Sequence, residues 1–165
     1  MATSKTSTEV LLIDPHSGDE WLEVAPGERF MIRTSAVETN GAYTMIAIFA
    51  EPGNGIPMHI HKNEDEHFIV LEGTLHIAVG DKAVNVGAGR AVSVSRGVPH
   101  AWSNVSDTEV RMLVLFSPGH IEGMFREIAL RQNDDIAAIL GKFGCLIVGP
   151  PLSEGLNTFH SPRSR

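Results

Sequence analysis

The sequence predicts an all-β domain, an antiparallel sandwich or barrel with short helices confined to its C-terminal part. Three observations carry this. From residue 30 to residue 116, short strand-like stretches alternate with turn signals at regular spacing. Two of those signals, Asn40-Gly41 and Gly80-Asp81, are of hairpin type. Helical spacing of apolar residues is found only after Ser117-Pro118-Gly119.

Residues 1–9 are polar, rich in Ser and Thr, and read as a disordered lead. Phe30 to Val37 and Tyr43 to Ala50 read as strands flanking the turn Glu38-Thr39-Asn40-Gly41. His67 to Leu71 is an apolar strand ending at Glu72-Gly73, and Leu75 to Val79 runs into the second hairpin turn. Ala83 to Val86, Ala91 to Val94, His100 to Asn104 and Val110 to Phe116 supply further strands. Ile121, Met124, Phe125 and Ile128 then fall on one helical face and are read as core packing. Asn133-Asp134 reads as the N-cap of a second short helix through Leu140, with Gly141 as its stop. Gly149-Pro150-Pro151-Leu152 breaks regular structure and is expected to lie across the barrel surface. The expected organisation is one domain over residues 10–152, followed by a mobile tail over 153–165.

Composition narrows the function. The 165 residues suit a single core, and a net charge of -7 with no basic stripe argues against nucleic-acid binding. No apolar run approaches the ~20 residues that span a bilayer, and the start lacks a signal-peptide core, so a cytoplasmic location is expected. Cys145, the one cysteine, excludes an intrachain disulfide and reads as a small buried hydrophobe.

The informative feature is His59-Ile60-His61. Side chains alternate faces along a strand, so these two imidazoles point the same way. Glu66 follows after the loop Lys62 to Asp65, and His100 begins a later strand that pairing could bring alongside. Three imidazoles and a carboxylate suit a divalent transition metal. They leave such an ion a net charge of about +1, with positions over for water or substrate. His16, His67, His76, His120 and His160 are read as structural or surface residues, His67 because alternation turns it away from Glu66. No nucleophilic Ser or Cys arrangement competes, and Gly53-Asn54-Gly55 precedes a strand rather than a phosphate-binding helix.

Laid out in full, the spacing is Gly53-x5-His59-x-His61-x4-Glu66-x6-Gly73, then Gly89-x5-Ser95-x-Gly97-x2-His100-x3-Asn104. This resembles the two motifs of the cupin superfamily, G-x5-H-x-H-x3,4-E-x6-G and G-x5-P-x-G-x2-H-x3-N, with Ser95 standing where the second has proline. Fifteen residues, 74–88, separate the two blocks. Stretches such as Asp65-Glu66-His67-Phe68 and Val70-Leu71-Glu72-Gly73 are similar to single-domain cupins of the quercetin-dioxygenase-like group.

The resemblance implies an antiparallel jelly-roll β-barrel with His59, His61, Glu66 and His100 as ligands of one metal ion: iron, manganese, nickel, cobalt, zinc or copper. It also implies a homodimer. The function expected is a metal-dependent oxygenase acting on a small organic molecule, anionic at the atom that meets the metal, with Glu66 also a candidate general base. An isomerase, decarboxylase or hydrolase on the same site, or a non-catalytic binding module, are the alternatives. Met58, Phe68, Val70 and Trp102 are candidates for the pocket wall. Gly53, Gly73, Gly89 and Gly97 are expected at turns needing positive φ, and Asn104 at a backbone hydrogen bond.

Overall fold

Residues 21–130 and 135–152 are described in a computed structural model. The expected lead, tail and Asn133-Asp134 cap lie outside them. Eleven strands and two helices follow in the order β1 (Leu22–Ala25), β2 (Glu28–Thr34), β3 (Thr44–Ala50), β4 (Gly55–His61), β5 (Asp65–Glu72), β6 (Thr74–Val79), β7 (Lys82–Gly87), β8 (Ala91–Val94), β9 (His100–Ser103), β10 (Val110–Ser117), α1 (Glu122–Leu130), α2 (Ile136–Lys142) and β11 (Cys145–Ile147). They form a six-stranded sheet ordered β1-β2-β3-β10-β5-β8 and a five-stranded sheet ordered β11-β4-β9-β6-β7. All pairings are antiparallel. The two sheets enclose the core, as the jelly roll expected from the sequence requires. No described helix is long and apolar enough to cross a membrane.

Strand alternation explains the packing. On β10, Val110, Met112, Val114 and Phe116 are buried and face the other sheet, while Arg111 points out to Glu72 and Glu109. Phe30, Ile46, Ile48, Phe68 and Val70 continue that inner surface, and Leu75, Ile77 and Trp102 meet it from the five-stranded sheet. On the outer face, the Arg29 and Arg111 guanidiniums lie over the Phe49 ring at 5.4 and 4.6 Å. Helix α1 buries Met124 and Phe125, as its spacing foretells. Glu122 accepts from the Ala36 N–H at 3.0 Å and ties α1 to the β2–β3 connection.

Several boundaries differ from the sequence expectation. The strand expected to reach Val37 stops at Thr34, and Val37 is 87% exposed. Residues 35–43 instead form a helical turn, in which the Gly41 N–H bonds Ala36 O at 2.7 Å and the Asn40 N–H bonds Val37 O at 3.3 Å. That pair of bonds is a Schellman closure, with Asn40 left-handed at φ 52°. Helix α2 is capped by Asp135, whose carboxylate accepts from the Ala138 N–H at 3.2 Å. It runs past the expected stop at Gly141 to Lys142, and the left-handed residue that follows is Gly144 at φ 77°. Strands β1 and β11 were not foreseen. The Gly149-Pro150 segment runs beside β4, whose Met58 N–H bonds Pro150 O at 3.0 Å.

Candidate metal centre

Strand β4 carries His59 and His61 on its inward face, both at most 3% exposed. It is flanked by β9 and β11: His59 pairs with His100 on one side, and His61 pairs with Cys145 on the other. The third imidazole is therefore a direct cross-strand neighbour of the first, and their ring centroids lie 4.1 Å apart. Glu66 comes from β5 in the opposite sheet, where it pairs with Phe116 and Val94. Three imidazoles from one layer and a carboxylate from the other thus converge between the sheets. One donor atom from each of His59, His61, Glu66 and His100 lies within 4.8 Å of all the others, and all four residues are buried.

Backbone turns hold this arrangement. Gly53, Gly73, Gly89 and Gly97 all adopt positive φ, as the motif reading expects. The Gly97 N–H bonds His61 O at 2.7 Å, joining the second motif to the first. Arg96 grips Asp65 with bonds of 3.1 and 2.9 Å, next to Glu66. Asn104 donates to Ala50 O and Thr108 O at 2.9 and 2.7 Å, fixing the end of β9.

The imidazole tautomers follow from their partners. His59 Nδ1 lies 2.8 Å from Pro57 O, and His100 Nδ1 lies 2.9 Å from Val98 O. A carbonyl only accepts, so each Nδ1 carries a proton; the Nε2 of His59 presents a lone pair inward, while that of His100 donates to the ionised Glu66 carboxylate. Glu66 Oε2 sits 2.7 Å from His100 Nε2 and 3.3 Å from His61 Nε2. His61 Nδ1 is buried without a hydrogen-bond partner. Burial opposes charge on Glu66, but its bonds to His100 and His61 win and hold its pKa down to about 2. Burial and the nearby His100 push the His59 pKa down to about 4, which keeps that ring neutral. For His100, burial is outweighed by its bond to Glu66, and its pKa rises.

A cavity of about 360 Å³ opens from this cluster. Its walls include Ile48, Ile56, Trp102, Phe116, Phe125, Ile136 and Leu140, so helices α1 and α2 close one side. Of the wall candidates read from the sequence, Trp102 lines the cavity, while Met58, Phe68 and Val70 are not among its lining residues. Met58 falls between the inward positions of β4, and its side chain packs on Gly149. Phe68 and Val70 are fully buried and are taken up by the core. Most of the lining escaped the sequence reading, including the titratable Glu28 and Cys145. Glu28 has the inward parity of Phe30, but the strand expected from the sequence began at Phe30 and left it out. Cys145 is the small buried hydrophobe expected, its thiol pushed up to about 12 by burial. His67 turns outward to Ser93 Oγ at 2.8 Å, and His76 bonds Asn85 Oδ1 at 2.6 Å, both away from the cluster.

Residues 48–116, which hold all four clustered side chains, match the family model for the cupin domain. That span is a cupin domain. Over 69 residues this cupin is 29% identical to mannose-1-phosphate guanylyltransferase 2 of Escherichia coli O157:H7, a match covering 42% of the chain and 14% of that relative. Over 114 residues it is 22% identical to quercetin 2,3-dioxygenase of Bacillus subtilis (strain 168), covering 65% of the chain and 34% of that relative. The cupin therefore spans between 14% and 34% of the length of these curated relatives. Among solved structures it is similar to an RmlC-like cupin from Shewanella frigidimarina, at TM-score 0.58 and 19% identity over 67% of this chain and 94% of that one. An oxalate oxidase is similar at TM-score 0.54 and 24% identity, over 72% and 66% of the two chains. Both structural likenesses concern the fold.

Proposed function

We propose that this cupin is a metal-dependent enzyme, an oxygenase acting on a small organic molecule that binds through an ionised oxygen. His59, His61, Glu66 and His100 would hold one divalent transition metal ion. The observation that carries the reading is the convergence of three imidazoles and one carboxylate beside an apolar cavity that His59, His61 and Glu66 line. The residues fit such an ion. His59 already faces inward with a free Nε2, and His59 and His100 are both oriented by carbonyls, as ligating histidines usually are. Glu66 is held ionised between the other nitrogens, ready to ligate.

A bound ion would supply Lewis-acid or redox chemistry at this point. The chain's own residues do the rest. His59 stays neutral through burial, and His100 is positioned by its Nδ1 bond to a carbonyl and its Nε2 bond to Glu66. The apolar walls exclude water and leave room for a small ligand, at the lower end of the ~300–1,000 Å³ of ligand sites. Glu66 is proposed first as a ligand. A carboxylate that two imidazoles hold ionised takes up a proton reluctantly, and a good general base titrates near the working pH. Likeness to a quercetin 2,3-dioxygenase supports the choice of oxygen chemistry.

Elemental analysis of the purified chain should find close to one transition metal ion per chain. His59→Ala and His100→Ala should each remove most of it, and unchanged metal content in both would refute the ligand assignment. Oxygen uptake on a panel of flavonols, diketones and phenols tests the reaction. Saturable ligand binding with no uptake in any reduced metal form would favour a non-catalytic binding module.

A further inference from the structure

Glu28 is a buried carboxyl that the fold does not use. It opens β2, shares the inward parity of Phe30, and is only 7% exposed. Among the described residues no hydrogen bond or ion pair reaches its side chain, and burial raises its pKa to about 7. An unpartnered carboxyl is costly to desolvate, yet this one lines the same cavity as the metal-type cluster.

Its place in that cavity is at the far end. Glu28 pairs with Ala50 and Ala50 with Val110, whereas Glu66 pairs with Phe116 at the other end of β10. The wall between Glu28 and the cluster is apolar, with Ile48, Ile56 and Trp102. The cavity therefore has two polar poles and a greasy middle.

We propose that Glu28 selects the substrate by hydrogen-bonding a hydroxyl at the end remote from the metal cluster. The substrate class is then an amphipathic molecule with an anionic oxygen at one end, an apolar body and a hydroxyl at the other. This rests on the reading of the cluster as a substrate-binding metal site. A hydroxyl suits the position because it donates to a carboxylate and accepts from a carboxylic acid, so either form of Glu28 recognises it. A cation would pair only with the ionised form and would itself have to be desolvated. Glu28 is a specificity residue, remote from the reacting end.

The test uses the full chain loaded with Co²⁺, titrated calorimetrically at fixed pH. The probes are straight-chain carboxylates from butanoate to decanoate and their ω-hydroxy counterparts. At the length that spans the cavity, the hydroxy acid should bind roughly tenfold tighter than the plain acid. Glu28→Leu should reverse that preference, whereas Glu28→Gln, whose amide also donates and accepts, should keep most of it. A wild-type chain with no hydroxyl preference at any length overturns the proposal, so the result does not hang on the leucine variant folding. A preference that survives unchanged in Glu28→Leu overturns it too. The Co²⁺ absorption spectrum separates the two readings. Carboxylates that bind without altering it, or no carboxylate binding at all, overturn the metal-site reading and this one with it.

Discussion

His61 differs from the two other imidazoles in having no carbonyl to orient it. Its Nδ1 is buried without a partner, while His59 and His100 are each fixed by a backbone oxygen two residues back. Those carbonyl bonds come from local chain geometry, which is why the spacing alone marked these residues so well. The fourth member, Glu66, arrives from the other sheet and was still legible, since the loop from β4 to β5 is short. Glu28 was not, because no motif contains it and only the burial of β2 gives its parity meaning. Its titration yields a prediction. Burial raises its folded pKa from 4.5 to about 7, so the folded state binds the proton more tightly than the unfolded state. Its penalty is absent below pH 4.5, grows as pH rises through the window to 7, and is complete above it. Glu28→Gln should therefore stabilise the chain by on the order of 2–3 kcal/mol at pH 8 and by little at pH 4. Urea unfolding at the two values measures it, and equal effects at both would contradict the assignment.

At the level of elements, the turns decided where sequence reading succeeded. Glu72-Gly73 was read as a strand end, and Gly73 there has φ 77° between β5 and β6, which belong to different sheets. A Cβ on Gly73 would lie 2.7 Å from the backbone oxygen of Glu109, which has no freedom to withdraw. Gly73→Ala should cost about 2–3 kcal/mol, from left-handed strain plus that contact. Its urea midpoint should fall while its metal content stays that of wild type, since Gly73 touches none of the four clustered side chains. Asn40-Gly41 shows the opposite outcome. Two consecutive residues at positive φ serve a two-residue hairpin and a helical stop equally well, and the pair closes a helical turn here. Strands β1 and β11 have four and three residues, too few for an alternation pattern to stand out from a loop. Helix α2 passes through Gly141 because a glycine is tolerated inside a helix, at a cost, and only Gly144 has the left-handed geometry of a stop.

The whole molecule sets the cluster between two layers, so filling it should stiffen both. An ion held by donors from both sheets binds the folded chain and not the unfolded one. With free metal at about 100 times its dissociation constant, the gain is about 2.7 kcal/mol. For a chain of this size that corresponds to a melting temperature higher by roughly 5–10 °C than after chelation. Calorimetric scans with metal and with chelator provide the measurement, and identical melting would count against a shared site. The fold class and the four-residue cluster were readable because motif spacing encodes them. The cavity wall was not, because it depends on which strand faces which, and the register shift in β4 reassigns its residues.

The span that matches the cupin domain ends at residue 116, and every clustered side chain lies within it. Strand β11 lies outside that span, yet it is zipped along the histidine strand from Cys145 opposite His61 to Ile147 opposite His59. A chain cut after Ser117 would keep the whole signature while turning β4 into an open sheet edge. Such an edge offers unpaired backbone groups to any other chain. The shortened protein is expected to self-associate in sedimentation and to hold its metal poorly, so its signature would outlive its solubility.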